Sequence, residues 1–170
     1  MWPTNHLLVP QVPFSEERAT PKSYPDMKHS PIIFQLVDFP EVGVRISKII
    51  GNDTPRIAGG GDKVLDIGDR EIKIWLLWPG YDEPLQKRIK TQSGAITRDT
   101  LLLVIAKMIL NFAEKIQSSE LPVKPGYESW TIGTRPDGRA GLMGPELFIT
   151  RLIHLGGANW QPELWAPRFN

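Results

Sequence analysis

The sequence predicts an α+β domain: a mostly antiparallel sheet packed on one long helix, in a β-grasp-like order. Three observations carry that expectation. Apolar and polar residues alternate, or apolar residues run together, at 32–37, 43–50 and 71–78. A single long run from Arg98 to Gln117 confines its polar residues to one narrow stripe. Strand-like runs return after residue 128, so the order is strands, helix, strands.

The chain opens on a segment that reads as neither helix nor strand. Residues 1–31 hold six of the sixteen prolines, and each fixes φ, lacks an N–H and biases its predecessor toward extended geometry. They are predicted to form an extended arm, followed by one α+β domain over 32–170. Trp2, Leu7, Leu8, Val9 and Phe14 give the arm apolar side chains to lay on the body or on a partner. Pro10-x-x-Pro13 has polyproline-ligand spacing but no Lys or Arg close by, so packing is the better reading.

Ile32–Val37 is rich in β-formers, and 43–50 alternates with period two, so both are predicted strands around a turn at 38–41. Residues 51–62 have loop composition. Val64–Ile67 reads as a short edge strand, Glu71–Trp78 as a central strand and Leu85–Thr91 as its hairpin partner. The helix follows, with Thr97 as N-cap and Asp99 in the first turn, where backbone N–H groups lack partners. Lys107, Asn111, Glu114 and Lys115 mark its wet stripe. The rest of the circumference needs cover from a sheet and, on the far flank, from the arm or a second subunit. Strands are then expected at Glu128–Ile132, at Glu146–Leu155 and, as an edge, at Trp160–Trp165.

Composition excludes several chemistries. There is no cysteine, hence no disulfide, no thiolate zinc site, no iron–sulfur cluster and no thiol nucleophile. Twenty basic residues balance nineteen acidic ones, which argues against nucleic acid as a partner. Lys87, Arg88, Lys90 and Arg98 form a basic stretch that reads as a solvated face. The most apolar window, 101–113, is shorter than the roughly 20 residues a membrane crossing needs. Met1–His6 lacks the features of a secretory leader. The expected location is the cytoplasm, with the nucleus as the other option, and the Asn52-Asp53-Thr54 sequon reads as chance.

No residue pattern points to a cofactor or to a catalytic group. Gly59-Gly60-Gly61-Asp62 lacks the Lys-hydroxyl pair and the following helix of a phosphate loop, so a flexible hairpin loop is expected. Asp62, Asp66 and Asp69 could hold a hard cation, but their spacing suits turns better. His154 sits inside a strand pattern and reads as a hydrogen-bonded sheet histidine. The six tryptophans divide by position: Trp75, Trp78 and Trp130 fall in strand patterns and read as core, while Trp2, Trp160 and Trp165 lie toward the chain ends. Trp160, Trp165, Trp2 and Tyr81 are therefore the candidate partner-binding residues.

Three stretches resemble a known family: Ile72-Lys-Ile-Trp-Leu-Leu-Trp-Pro-Gly-Tyr81, Ile96-Thr-Arg98 opening the helix, and Leu147 through Trp160-Gln-Pro162. Together they are similar to small uncharacterised proteins of mushroom-forming (basidiomycete) fungi. The resemblance implies one fold across 32–165 and a fungal origin, and assigns no catalytic residue. Gly156-Gly-Ala-Asn159 departs from that family's Ser or further Gly before the Trp.

The reading that follows is a non-enzymatic binding module making protein–protein contact or self-associating as a homodimer. A small metal-assisted hydrolase or lyase using Asp62, Asp66 and His154 is the alternative. A small-molecule carrier with a Trp-lined pocket is the third.

Overall fold

The computed structural model describes residues 1–11, 29–53, 55–91 and 96–168. Pro13, Phe14, Pro21, Pro25 and Thr54 lie outside them. The elements are β1 (His6–Leu8), β2 (Ile32–Ile33), β3 (Val44–Arg45), α1 (Ile46–Ile49), β4 (Lys63–Val64), β5 (Glu71–Leu76), β6 (Leu85–Lys90), β7 (Ile96–Thr97), α2 (Arg98–Ser119), β8 (Phe148–Gly156) and β9 (Asn159–Pro167).

The main sheet runs β2-β8-β9-β5-β6, with β3 also on β8 and β1 also on β9. Its pairs are antiparallel except β5 with β9, which run parallel through Lys73↔Asn159 and Ile74↔Trp160. A hairpin, a helix and a last strand set parallel to the hairpin's first strand make the β-grasp core that the sequence predicts. Ile72, Ile74 and Leu76 point from β5 into one core with Leu101, Ile105, Ile109 and Phe112 of α2. Thr97 caps the helix, its hydroxyl accepting from the Thr100 N–H at 3.4 Å. Lys107, Asn111, Glu114 and Lys115 are all exposed, as the stripe requires.

Two pieces of the chain cover part of the helix's remaining flank. α1 packs beside α2, and a 3₁₀ turn at Gly144–Glu146 lies against it. A Cβ on Gly144 would stand 3.0 Å from Leu110 Cδ2 and 3.3 Å from Ala113 Cβ, a close approach that suits glycine. Among the described residues, no helix is long and apolar enough to cross a membrane.

Three local expectations are corrected. Residues 43–50 form a strand only at Val44–Arg45 and then turn into α1, so that Val44 and Ile46 are both fully buried. Glu128–Ile132 is not a strand, because local bonds win: Glu128 Oε1 accepts from the Gly126 N–H at 3.0 Å, and Thr131 Oγ1 donates to the Glu128 carbonyl at 2.8 Å. A 3₁₀ turn over Glu128–Trp130 results.

The third correction concerns both chain ends. The sequence places an edge strand at Trp160–Trp165, yet β9 lies between β8 on one side and β5 and β1 on the other. Parity explains how Pro162 is tolerated. The Pro162 carbonyl points away from β8 and accepts from the Gln11 side chain, so its missing N–H falls in the gap between the β5 and β1 pairings. Gln11 closes that gap, since its Oε1 also accepts from the Leu77 N–H at 3.2 Å. Inside the proline-rich arm, His6–Leu8 forms a true strand on β9, and Val9 is buried with its N–H donating to the Leu164 carbonyl at 2.9 Å.

Candidate contact face

The sheet has two faces of different character. α1 and α2 fill the inner one; among the described residues, no helix covers the outer one. Directly paired residues in neighbouring strands share a face. Arg45↔Phe148↔Trp165↔Leu8 therefore forms one outer row, and Ile33↔Arg151↔Glu163 the next.

A register shift between Ile149 and Arg151 organises the centre. The extra residue brings Thr150 and Arg151 together opposite Glu163, as a bulge does. Thr150 Oγ1 donates to Glu163 Oε1 at 2.8 Å, while Arg151 Nε and Nη2 donate to Oε2 at 3.0 and 2.7 Å. The Trp165 indole N–H also reaches Oε1, at 3.4 Å. Glu163 is 9% exposed, so its charge is held by partners rather than by water.

Above this hub lies Trp2. Its ring stacks on Trp165 with centroids 5.7 Å apart and planes at 16°, and the Arg151 guanidinium lies 5.0 Å from its centroid. His6 meets Phe148 edge-on at 4.6 Å, and Arg45 lies 5.8 Å over the same ring. Trp2, Leu8 and Ile33 remain 43, 47 and 48% exposed. The arrangement gathers rigid aromatic rings, a held arginine and unburied aliphatics on one surface.

Two of the four predicted contact residues meet here: Trp2 and Trp165. Trp160 does not. It is 1% exposed and points inward, against His154 at 4.6 Å between ring centroids. Positions 160 and 165 are an odd number apart, so on one strand they must face opposite ways; that spacing held the signal. Leu8 is among the arm side chains the sequence offers to the body or a partner; Arg151, Glu163, Phe148 and Ile33 carry no such signal, because their union depends on strand order and on the bulge.

Tyr81 also lies elsewhere, half-buried with its ring edge on Phe112 and its hydroxyl oxygen accepting from the Ile132 N–H at 3.3 Å. Burial pushes its phenol above the ordinary 10.0, and the Ile132 N–H partly offsets that. The folded state thus holds the Tyr81 proton more tightly than the unfolded chain. The stability this contributes is intact below about pH 10 and is lost as pH rises through the folded value. Ultraviolet titration should show a tyrosine ionising above its ordinary value, and Tyr81→Phe should remove that step and flatten the alkaline fall in stability.

Trp78 is core, its indole N–H donating to the Trp130 carbonyl at 2.8 Å. Trp75 and Trp130 are half-buried. Trp75 faces outward, its N–H donating to Asn159 Oδ1 at 3.0 Å.

The other candidates have structural partners. His154 Nδ1 accepts from the His29 N–H at 2.9 Å and Nε2 lies 2.7 Å from the Gly157 carbonyl, so both ring nitrogens are engaged. Among the described residues, no three His, Asp or Glu side chains converge as a metal site, so Asp62, Asp66 and His154 do not form one, nor do Asp62, Asp66 and Asp69. The glycine run is a packed turn rather than a loose loop. The Asp62 and Gly60 carbonyls accept from the first N–H groups of α2, on Arg98 and Asp99, both at 3.0 Å. A Cβ on Gly60 would stand 2.2 Å from the Asp99 carboxylate. Two clefts, of about 520 Å³ beside Phe39 and about 720 Å³ beside Tyr81, have no tryptophan in their walls. Comparison of the chain with protein-family models, with curated proteins and with solved structures finds no match in any of the three.

Proposed function

We propose that this chain is a non-enzymatic binding module that self-associates through the outer sheet face centred on Trp2, Trp165 and Arg151. The observation that carries the reading is the Trp2–Trp165 stack, held over the Arg151–Glu163 pair on a face no described helix covers. Trp, Tyr and Arg in a well-packed centre are the residue types that dominate binding energy at protein interfaces. A second copy is the favoured partner because Arg151 and Glu163 neutralise each other. Two such patches can meet across a two-fold axis without like charges at their centre. Rigid indole rings also lose little entropy on contact.

Sedimentation equilibrium of the full chain tests this. Wild type should fit a monomer–dimer equilibrium. Trp2→Ala should weaken the dimer by about thirtyfold, the effect of removing one interfacial hot spot. A wild-type mass that stays monomeric at every concentration, or a Trp2→Ala dimer as tight as wild type, would overturn the reading.

A further inference from the structure

We propose a second, separate contact site: the free edge of β6, which takes an extended acidic segment as an added strand. It does not depend on self-association through the outer face. β6 ends the sheet order, and among the described residues it pairs with β5 alone. In an antiparallel pair, every second N–H and C=O of the outer strand points away from its neighbour, so among the described residues this edge keeps a row of unpaired backbone groups.

Side chains decide what can pair there. Leu85-Gln-Lys-Arg-Ile-Lys90 carries three cations and no acid. Arg88 reaches Glu71 at 3.6 Å in an exposed pair; Lys87, Lys90 and the neighbouring Lys73 and Lys107 have no carboxylate within ion-pair reach among the described residues. A second copy of β6 would set cation against cation, which excludes self-pairing along this edge. An acidic strand meets no such repulsion.

The inner side of the edge adds an apolar footing. Leu85 and Ile89 are half-buried, and between β6 and α2 lies a cleft of about 280 Å³ lined by Leu85, Lys87, Val104, Lys107, Met108 and Asn111. No acidic side chain lines it. An extended segment alternating acidic and branched apolar residues has a place for both kinds. Its backbone pairs with β6, its apolar side chains lie over Leu85, Val104 and Met108, and its carboxylates reach the lysines.

The test uses the full-length protein and a capped peptide of alternating Glu and Val, followed by fluorescence anisotropy and by amide NMR shifts on β6. Binding should weaken with salt. The triple variant Lys87→Glu/Arg88→Glu/Lys90→Glu should lose affinity by about tenfold or more. The same peptide N-methylated at every second residue keeps its charge, cannot form the ladder and should fail to bind. Equal binding of the N-methylated peptide would overturn the proposal, since charge alone would then suffice. So would no binding of the parent peptide at millimolar concentration, or a single-stranded oligonucleotide that binds the same edge more tightly.

Discussion

Trp160→Ala is expected to destabilise the fold by about 3–5 kcal/mol, the usual cost of emptying a large aromatic site in a core. The ring is almost wholly buried, points inward from β9 where that strand runs parallel to β5, meets His154 at a tilt and stacks with His29 at 6.1 Å. Among the described residues its indole N–H has no hydrogen-bond partner, so the side chain works through packing. Two consequences separate this from a contact role. Trp160→Phe, which removes the unpaired N–H and keeps a ring, should cost less than half as much as Trp160→Ala. The fitted dimer affinity of either variant, measured well below its denaturation midpoint, should stay near wild type. Urea denaturation followed by circular dichroism reads the first quantity. A loss under about 1 kcal/mol for Trp160→Ala would contradict the inward placement.

Glu163→Ala should cost about 2–3 kcal/mol and loosen the dimer as well. Deleting this carboxylate strands two donors, the Arg151 guanidinium and the Trp165 indole, while the Thr150 hydroxyl falls back on the Glu163 backbone carbonyl at 3.2 Å. A fully buried pair broken on one side costs about 3–5 kcal/mol, but Arg151 is about a third exposed, so water recovers part of the loss. Arg151 without Glu163 also loses the fork that aims it under Trp2, so the stack over it should become less ordered. Glu163→Gln keeps acceptor geometry at one oxygen and should fall midway between wild type and Ala. Denaturation gives the stability change and sedimentation the affinity change. A Glu163→Ala protein as stable as wild type would show that the hub is not holding the face together.

Much of the scaffold was legible because its signals are local. The α2 stripe at Lys107, Asn111, Glu114 and Lys115, its Thr97 cap and the Glu71–Lys90 hairpin all follow from periodicity within a few turns or residues. Residues 43–50 misled because alternation over Val44 and Ile46 ends where α1 begins, and four helical residues are too few to show a 3.6 period. The sequence reading places β9 at an edge; only strand order shows that it is interior and that Pro162 faces the gap Gln11 fills.

The candidate contact face was half legible for the same reason. Trp2 and Trp165 could be named from position, but their stack, and the arginine beneath it, exist only once β1 returns to pair with β9 and the bulge sets Thr150 beside Arg151. Long-range pairing of this kind leaves no periodic trace in the chain.

Hydroxyl-radical footprinting of the wild-type chain across a dilution series tests the contact face most directly, because it reads side-chain access residue by residue. Oxidation of Trp2, Leu8 and Ile33 should fall as concentration rises through the dimer midpoint, while Phe39 and Tyr127, exposed elsewhere, should label equally throughout. Labelling of Trp2, Leu8 and Ile33 that does not change with concentration would contradict the account.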